Sequence, residues 1–177
     1  MTRYVALLRG IAPTNPSMRN ENLRRVAEGL GLTGVRTVIS SGNVLFDSDS
    51  GDRDALQQQL EAARPRELGF RSTSIVRSSH EIGRLLEADP FAGYEHGPAS
   101  YLLVTFVQDR ARWGDPAPTP PDGAAIDVVG AAHGAVFTVT DATARTTDVM
   151  GWLEKVYGTR ISSRTWRTVL RLHRALE

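Results

Sequence analysis

Cysteine is missing from this sequence of 177 residues. That excludes a disulfide framework, a thiol nucleophile and any cysteine-ligated zinc or iron–sulfur centre. Lysine is nearly missing too: of the 21 basic residues, Lys155 is the sole lysine and the rest are arginines. Arginine's planar fork grips phosphate and carboxylate bidentately, which suits anion recognition; a preference for arginine codons accounts for the same bias. No apolar run nears the roughly 20 residues of a membrane span, so no membrane association is expected. No basic-then-apolar leader precedes the first apolar run, and the expected location is the cytoplasm.

The sequence is equally poor in catalytic signatures. His80, His96, His133 and His173 are scattered without metal-ligand spacing, so no metal is expected. His80-Glu81 lacks the second histidine of a zincin helix. The nucleophile-elbow motif, the Walker phosphate loop and the dinucleotide glycine motif are all lacking, and no cofactor is expected. Ser40, Ser41, Ser162 and Ser163 have no evident base nearby and read as turn or cap residues. Asp47, Asp49 and Asp52 can hold a hard cation or form a polar turn into a capped helix; the interleaved Ser48, Ser50 and Gly51 favour the turn.

What is present is an ordinary globular composition, 41% hydrophobic and 23% charged, with a formal charge of +1. So small a charge argues against a strongly basic nucleic-acid coat. It is unevenly spread, however. Residues 1–78 hold 11 arginines against 8 acids, residues 79–177 hold 10 basic residues against 12 acids, and residues 155–177 hold six basic residues against Glu177.

Residues 4–77 read as strand, helix, strand, tight turn, strand, helix, strand, the β-α-β-β-α-β order of a ferredoxin-like unit. Arg3 to Ile11 forms the first apolar strand, and Pro13 and Pro16 break the chain after it. Leu23, Val26, Ala27 and Leu30 follow at helical spacing, with Asn20 as the expected N-cap and Gly31 as the stop. Gly34–Ser40 and Asn43–Ser48 flank Ser41-Gly42, a hairpin turn. Asp52 caps a helix expected to end at Pro65, and Arg71–Arg77 closes the unit. Ser78 and Glu81 have capping-box spacing before a short helix.

Residues 79–177 read as a second, incomplete plait-like subdomain, and the halves are candidates to share one sheet. Tyr101–Val107 is its main strand, and residues 115–123 form a proline-rich loop. A hairpin turns near His133-Gly134, and helices are expected over about 147–157 and 162–176. No repeat shows at the residue level. The domains are therefore 1–78 and 79–177, and the class is α+β.

In a plait with sheet order 4-1-3-2, three loops share one edge: the loop after strand 1, the strand 2–3 hairpin and the loop before strand 4. Here that edge gathers Arg9, Gly10, Thr14, Asn15, Asn20, Ser40, Ser41, Asn43, Arg64 and Arg66, beside the first helix's amino end, a natural anion site. The competing reading makes Ser41 and Asn43 turn residues only. Arg164, Arg167, Arg171 and Arg174 follow a 3-4-3 spacing, either an arginine face for phosphates or the solvated side of an amphipathic helix.

Three stretches, YVALLRGI at 4–11, VRTVISSGNVLF at 35–46 and ISSRTWRTVLRL at 161–172, together resemble the domain-of-unknown-function 1697 family. The resemblance spans nearly the whole chain and implies an α+β protein of two plait-like subdomains whose role is unassigned. Family members often carry a glycine- and lysine-containing loop after the first strand, where this chain has Ala12-Pro13-Thr14-Asn15-Pro16. The family supplies no catalytic residue to carry over.

The leading expectation is a binding module for a phosphorylated or anionic ligand, a nucleotide or short nucleic acid, contacted by Arg9, Asn20, Ser41 and Asn43, with Arg160 and Arg164 added. Strands 1 and 3 offer only Tyr4 and Phe46 for stacking bases, which weighs against RNA. The alternatives are a small enzyme acting on a phosphorylated metabolite and a homodimeric structural or interaction protein without a small-molecule ligand.

Overall fold

A computed structural model describes residues 1–145 and 147–177. It is a mixed α+β structure whose strands form two four-stranded antiparallel sheets. They are separate sheets, not the single continuous one that the sequence left open. By packing, the chain divides into Met1–Ile82 with Arg171–Glu177, and Gly83–Leu170.

The first unit holds β1 (Thr2–Leu8), α1 (Asn20–Gly29), β2 (Thr33–Thr37), β3 (Asn43–Ser48), α2 (Arg53–Leu68) and β4 (Ser74–Ser78). Their order is β2-β3-β1-β4, the plait order expected. Alternation puts Tyr4, Ala6 and Leu8 of β1 on one face, with Phe46 of β3 and Val76 of β4. Leu23 and Ala27 of α1 and Leu56 and Leu60 of α2 cover them. Asp52 caps α2 by accepting from Ala55 N–H at 2.9 Å. The helix does not stop at Pro65. Pro65 stands in the last turn, where it forgoes the bond to the carbonyl four residues back, and Gly69 ends the helix in the left-handed region.

β4 is an edge strand, yet its outward groups are occupied. Gln57 Oε1 accepts from Val76 N–H at 3.0 Å, and Glu61 Oε1 accepts from Ser74 N–H at 2.8 Å. Arg64 Nη2 donates to Ser72 O at 2.6 Å. These residues stand at i, i+4 and i+7, one ridge of α2, which takes the place of a fifth strand. At the far end of β4, Ser78 and Glu81 close the expected capping box of α3 (Ser79–Glu87).

The second unit holds β5 (Tyr101–Val107), β6 (Ile126–Ala132), β7 (Ala135–Thr140), α4 (Val149–Tyr157) and β8 (Ile161–Thr165). The sequence placed residues 162–165 at the start of the last helix. They are strand instead, paired antiparallel with β5, and α5 (Trp166–Leu176) begins after them. With β8 counted, the order β6-β7-β5-β8 repeats that of the first sheet. What this plait lacks is a helix after its first strand. A 3-10 turn at Arg110–Arg112 stands there, and Trp113 fills the space, its Nε1–H donating to Val107 O at 2.9 Å.

The repeat reaches single backbone bonds. Leu8 N–H donates to Gly42 O at 2.8 Å, and Val107 N–H to Gly134 O at 2.8 Å. Arg9 N–H donates to Thr73 O at 3.0 Å, and Gln108 N–H to Arg160 O at 3.0 Å. In the same register, Val5 pairs with Arg77 and Val104 with Arg164. Both arginines are buried, and each donates from Nη1 to the preceding residue's carbonyl.

Candidate functional site

The β2–β3 hairpin is built from its own side chains. Asn43 is fully buried and donates from Nδ2 to Val38 O at 2.9 Å and to Ser41 Oγ at 3.1 Å. Gly42 sits at φ +80°, and a Cβ there would lie 2.6 Å from Ile11 Cγ1. Ser41 and Asn43 thus shape the edge from within. The same loop puts Ile39 at φ +60° with 41% of its surface exposed. A β-branched residue in the left-handed region is a genuine outlier, and such strain concentrates at functional sites.

Ile39 is held from across the edge: Asn20 Nδ2 donates to its carbonyl at 3.2 Å. Asn20 is not the helix cap that its sequence context suggests. It is the first residue of α1, and Arg19 occupies the cap position without a side-chain cap bond. Asn15 takes the capping role one step earlier, accepting from Ser17 N–H at 3.1 Å to start the short 3-10 turn Pro16–Met18. After the two prolines the chain enters α1 at Arg19, whose side chain makes no cap bond.

Arg9 closes the other side of the edge. Its carbonyl accepts from Ser72 Oγ at 2.7 Å, and the side chain is half-buried. Beneath it Arg64 is buried and donates to Ser74 Oγ at 2.6 Å, while its Nε has no hydrogen-bond partner. Burial pushes the Arg64 pKa down to about 10, with Glu61 opposing. Asn20, Ser41 and Asn43 are tied to one hairpin, while Arg9 bonds through its backbone to Ser72 and Thr73 ahead of β4.

The family model described as a protein of unknown function, DUF1697, matches residues 1–131. The chain belongs to that family. No curated protein matches it. Among solved structures, this DUF1697 chain is similar to a conserved bacterial protein from Streptococcus pneumoniae. The TM-score is 0.71 at 19% identity, over 99% of this chain and 98% of that one. At that identity the likeness speaks for the fold.

Arg160 and Arg164, the two remaining candidates, lie in the second unit of this DUF1697 chain. Arg160 is exposed and donates from Nε to Gln108 Oε1. Arg164 is on β8 and not on the last helix, so the expected four-arginine stripe reduces to Arg167, Arg171 and Arg174, all exposed on α5. Its side chain is 8% exposed, donates to Ser162 Oγ at 2.9 Å, and burial pushes its pKa down to about 10. Tyr4 and Phe46 stack on each other with centroids 5.6 Å apart inside the helix-facing core. Neither is exposed to take a base. Ile39 carries no signal in the sequence beyond residue type, and its standing comes from φ and exposure; Arg64 is expected at this edge from the sequence, and the structure adds its burial. Among the described residues, no helix is long and apolar enough to cross a membrane.

Proposed function

We propose that this protein is a binding module for a small phosphorylated or carboxylated ligand, held at the hairpin edge of its first plait. The observation that carries the reading is Ile39: a strained, exposed residue kept at φ +60° and tied by Asn20 to the uncapped start of α1. Strain of this kind persists only where surrounding contacts over-determine it. The amino end of a helix supplies N–H donors and a favourable dipole for an anion, and Arg9 at the exit of β1 adds a guanidinium. Ser41 and Asn43 fix the hairpin in place. A small anion is favoured over a nucleic acid because the aromatic rings of β1 and β3 are in the core.

The test is a thermal-shift panel of sugar phosphates, nucleotides, carboxylates and short oligonucleotides at low and high salt. A ligand at about 100 times its dissociation constant adds about 2.7 kcal/mol. Stabilisation by a small phosphate or carboxylate that disappears in Arg9→Ala supports the reading. Stabilisation by oligonucleotides alone, erased by salt, moves attention to the arginines of α5. A blank across the panel removes the edge as a binding site.

A further inference from the structure

A cleft of about 250 Å³ lies in the second unit, between the end of the proline-rich loop and α4. Pro121 and Asp122 line the loop side, Ile126 the base, and Asp148, Trp152 and Lys155 the helix side. The last three stand at i, i+4 and i+7, so they form one row along α4 and its cap. Asp148 and Lys155 are thus two helical turns apart, roughly 10 Å along the axis.

Opposite charges therefore mark the two ends of the row, with an indole between them. Asp148 spends Oδ1 on the helix start, accepting from Gly151 N–H at 2.9 Å, which explains that residue structurally. The same account does not cover Asp122 or Lys155. Among the described residues neither enters an ion pair with another side chain. Lys155 is also the sole lysine of a chain that otherwise uses arginine, and an ammonium on a flexible stem suits a point contact to a carboxylate. The volume is a little under the ~300 Å³ at which pockets for drug-sized ligands begin, which fits a few-carbon metabolite better than a nucleotide.

We propose that this cleft binds a small aliphatic zwitterion, its ammonium end at Asp122 and Asp148, its carboxylate at Lys155 and its carbon body over Trp152. The site is independent of the hairpin edge and takes a different ligand class.

The experiment is an NMR titration read at the indole N–H signals of Trp113, Trp152 and Trp166, with 6-aminohexanoate as probe and hexylamine and hexanoate as single-ended controls. The expected result is a saturable shift at Trp152 and not at the other two, with each control binding at least about tenfold more weakly. Lys155→Gln should weaken the zwitterion about tenfold and leave hexylamine unchanged. Lys155 is exposed, so this variant keeps its fold. No saturable shift with 6-aminohexanoate, equal binding of hexylamine, or indifference to Lys155→Gln would each overturn the proposal.

Discussion

Ile39 and Gly42 occupy the same backbone region for opposite reasons. At Gly42 the left-handed φ is filled by the residue made for it, and the missing Cβ lets Ile11 and Leu8 close on the hairpin. At Ile39 a β-branched side chain bears a cost of about 1–2 kcal/mol. Ile39→Gly should therefore raise stability by about 1 kcal/mol, seen as a higher urea midpoint at unchanged slope, while blunting the ligand response. An unchanged or lower midpoint would show that the residue is not strained. Gly42→Ala adds steric overlap to the backbone cost and should lose about 3 kcal/mol. Gly10→Ala, at φ +70° with nothing within 4 Å of the new Cβ, should lose only about 1 kcal/mol. Equal losses at the two glycines would remove the packing argument. His96 makes a third prediction at this scale. Its Nδ1 accepts from Leu102 N–H at 3.2 Å at the start of β5, and burial, then the charge of Arg167, lowers its pKa. The folded protein thus prefers the neutral ring. Its contribution is full above the ordinary value of about 6.5 and is lost as pH falls through the lower folded value. Urea midpoints should drop from pH 7.5 to pH 5, and His96→Gln should flatten that slope; an identical slope in the variant assigns it to other groups.

At the scale of elements, the ridge of α2 over β4 determines what the first sheet can do. Gln57, Glu61 and Arg64 occupy the outward backbone groups at Val76, Ser74 and Ser72, so β4 offers no free edge to an added strand. Glu61→Ala leaves the buried Ser74 N–H without this acceptor and should lose about 1–3 kcal/mol. It should also open the edge: concentration-dependent association by size-exclusion chromatography is expected in Glu61→Ala and not in an Asp54→Ala control on the same helix. A variant that is destabilised but stays monomeric at all concentrations would deny the guarding role. None of this was legible in the sequence, since Gln57 and Glu61 look like solvated positions on an amphipathic helix. The strands β1 and β3 were legible because each is a compact apolar run ended by turn residues. β8 was hidden because Ile161–Thr165 runs into α5 without punctuation, and Arg164 falls on the helical spacing of the arginines after it. Asn20 misled for a local reason: Asn15 had already made the turn that sets the helix going, so the later asparagine was free to reach Ile39. The candidate edge could be located from the expected plait order, whereas the division between residues that shape it and residues that line it needed the hydrogen bonds.

For the whole molecule, the two sheets are one topology written twice in unlike sequences. The backbone bonds at Leu8 and Val107 and the buried arginines at 77 and 164 coincide, while a three-turn helix in one plait is a single 3-10 turn and a tryptophan in the other. Side chains at matched positions share a backbone role and little else, which is why residue-level comparison shows no repeat. The units do not divide cleanly in sequence, because residues 171–177, the end of α5 and the residue after it, belong with residues 1–82. Arg3 Nη1 donates to Leu176 O at 3.0 Å, Arg36 donates to Ala175 O, and Leu172 and Leu176 are buried. Burying two leucines is worth about 3–6 kcal/mol as an upper figure. Deleting residues 171–177 should therefore destabilise the first plait although the cut lies at the far end of the chain. Hydrogen exchange should rise in β1 and β2, where Arg3 and Arg36 sit, while β5 and β7 keep their protection. A loss of protection in β5 and β7 equal to that in β1 and β2 would mean that the C-terminal turn does not belong to the first unit in particular.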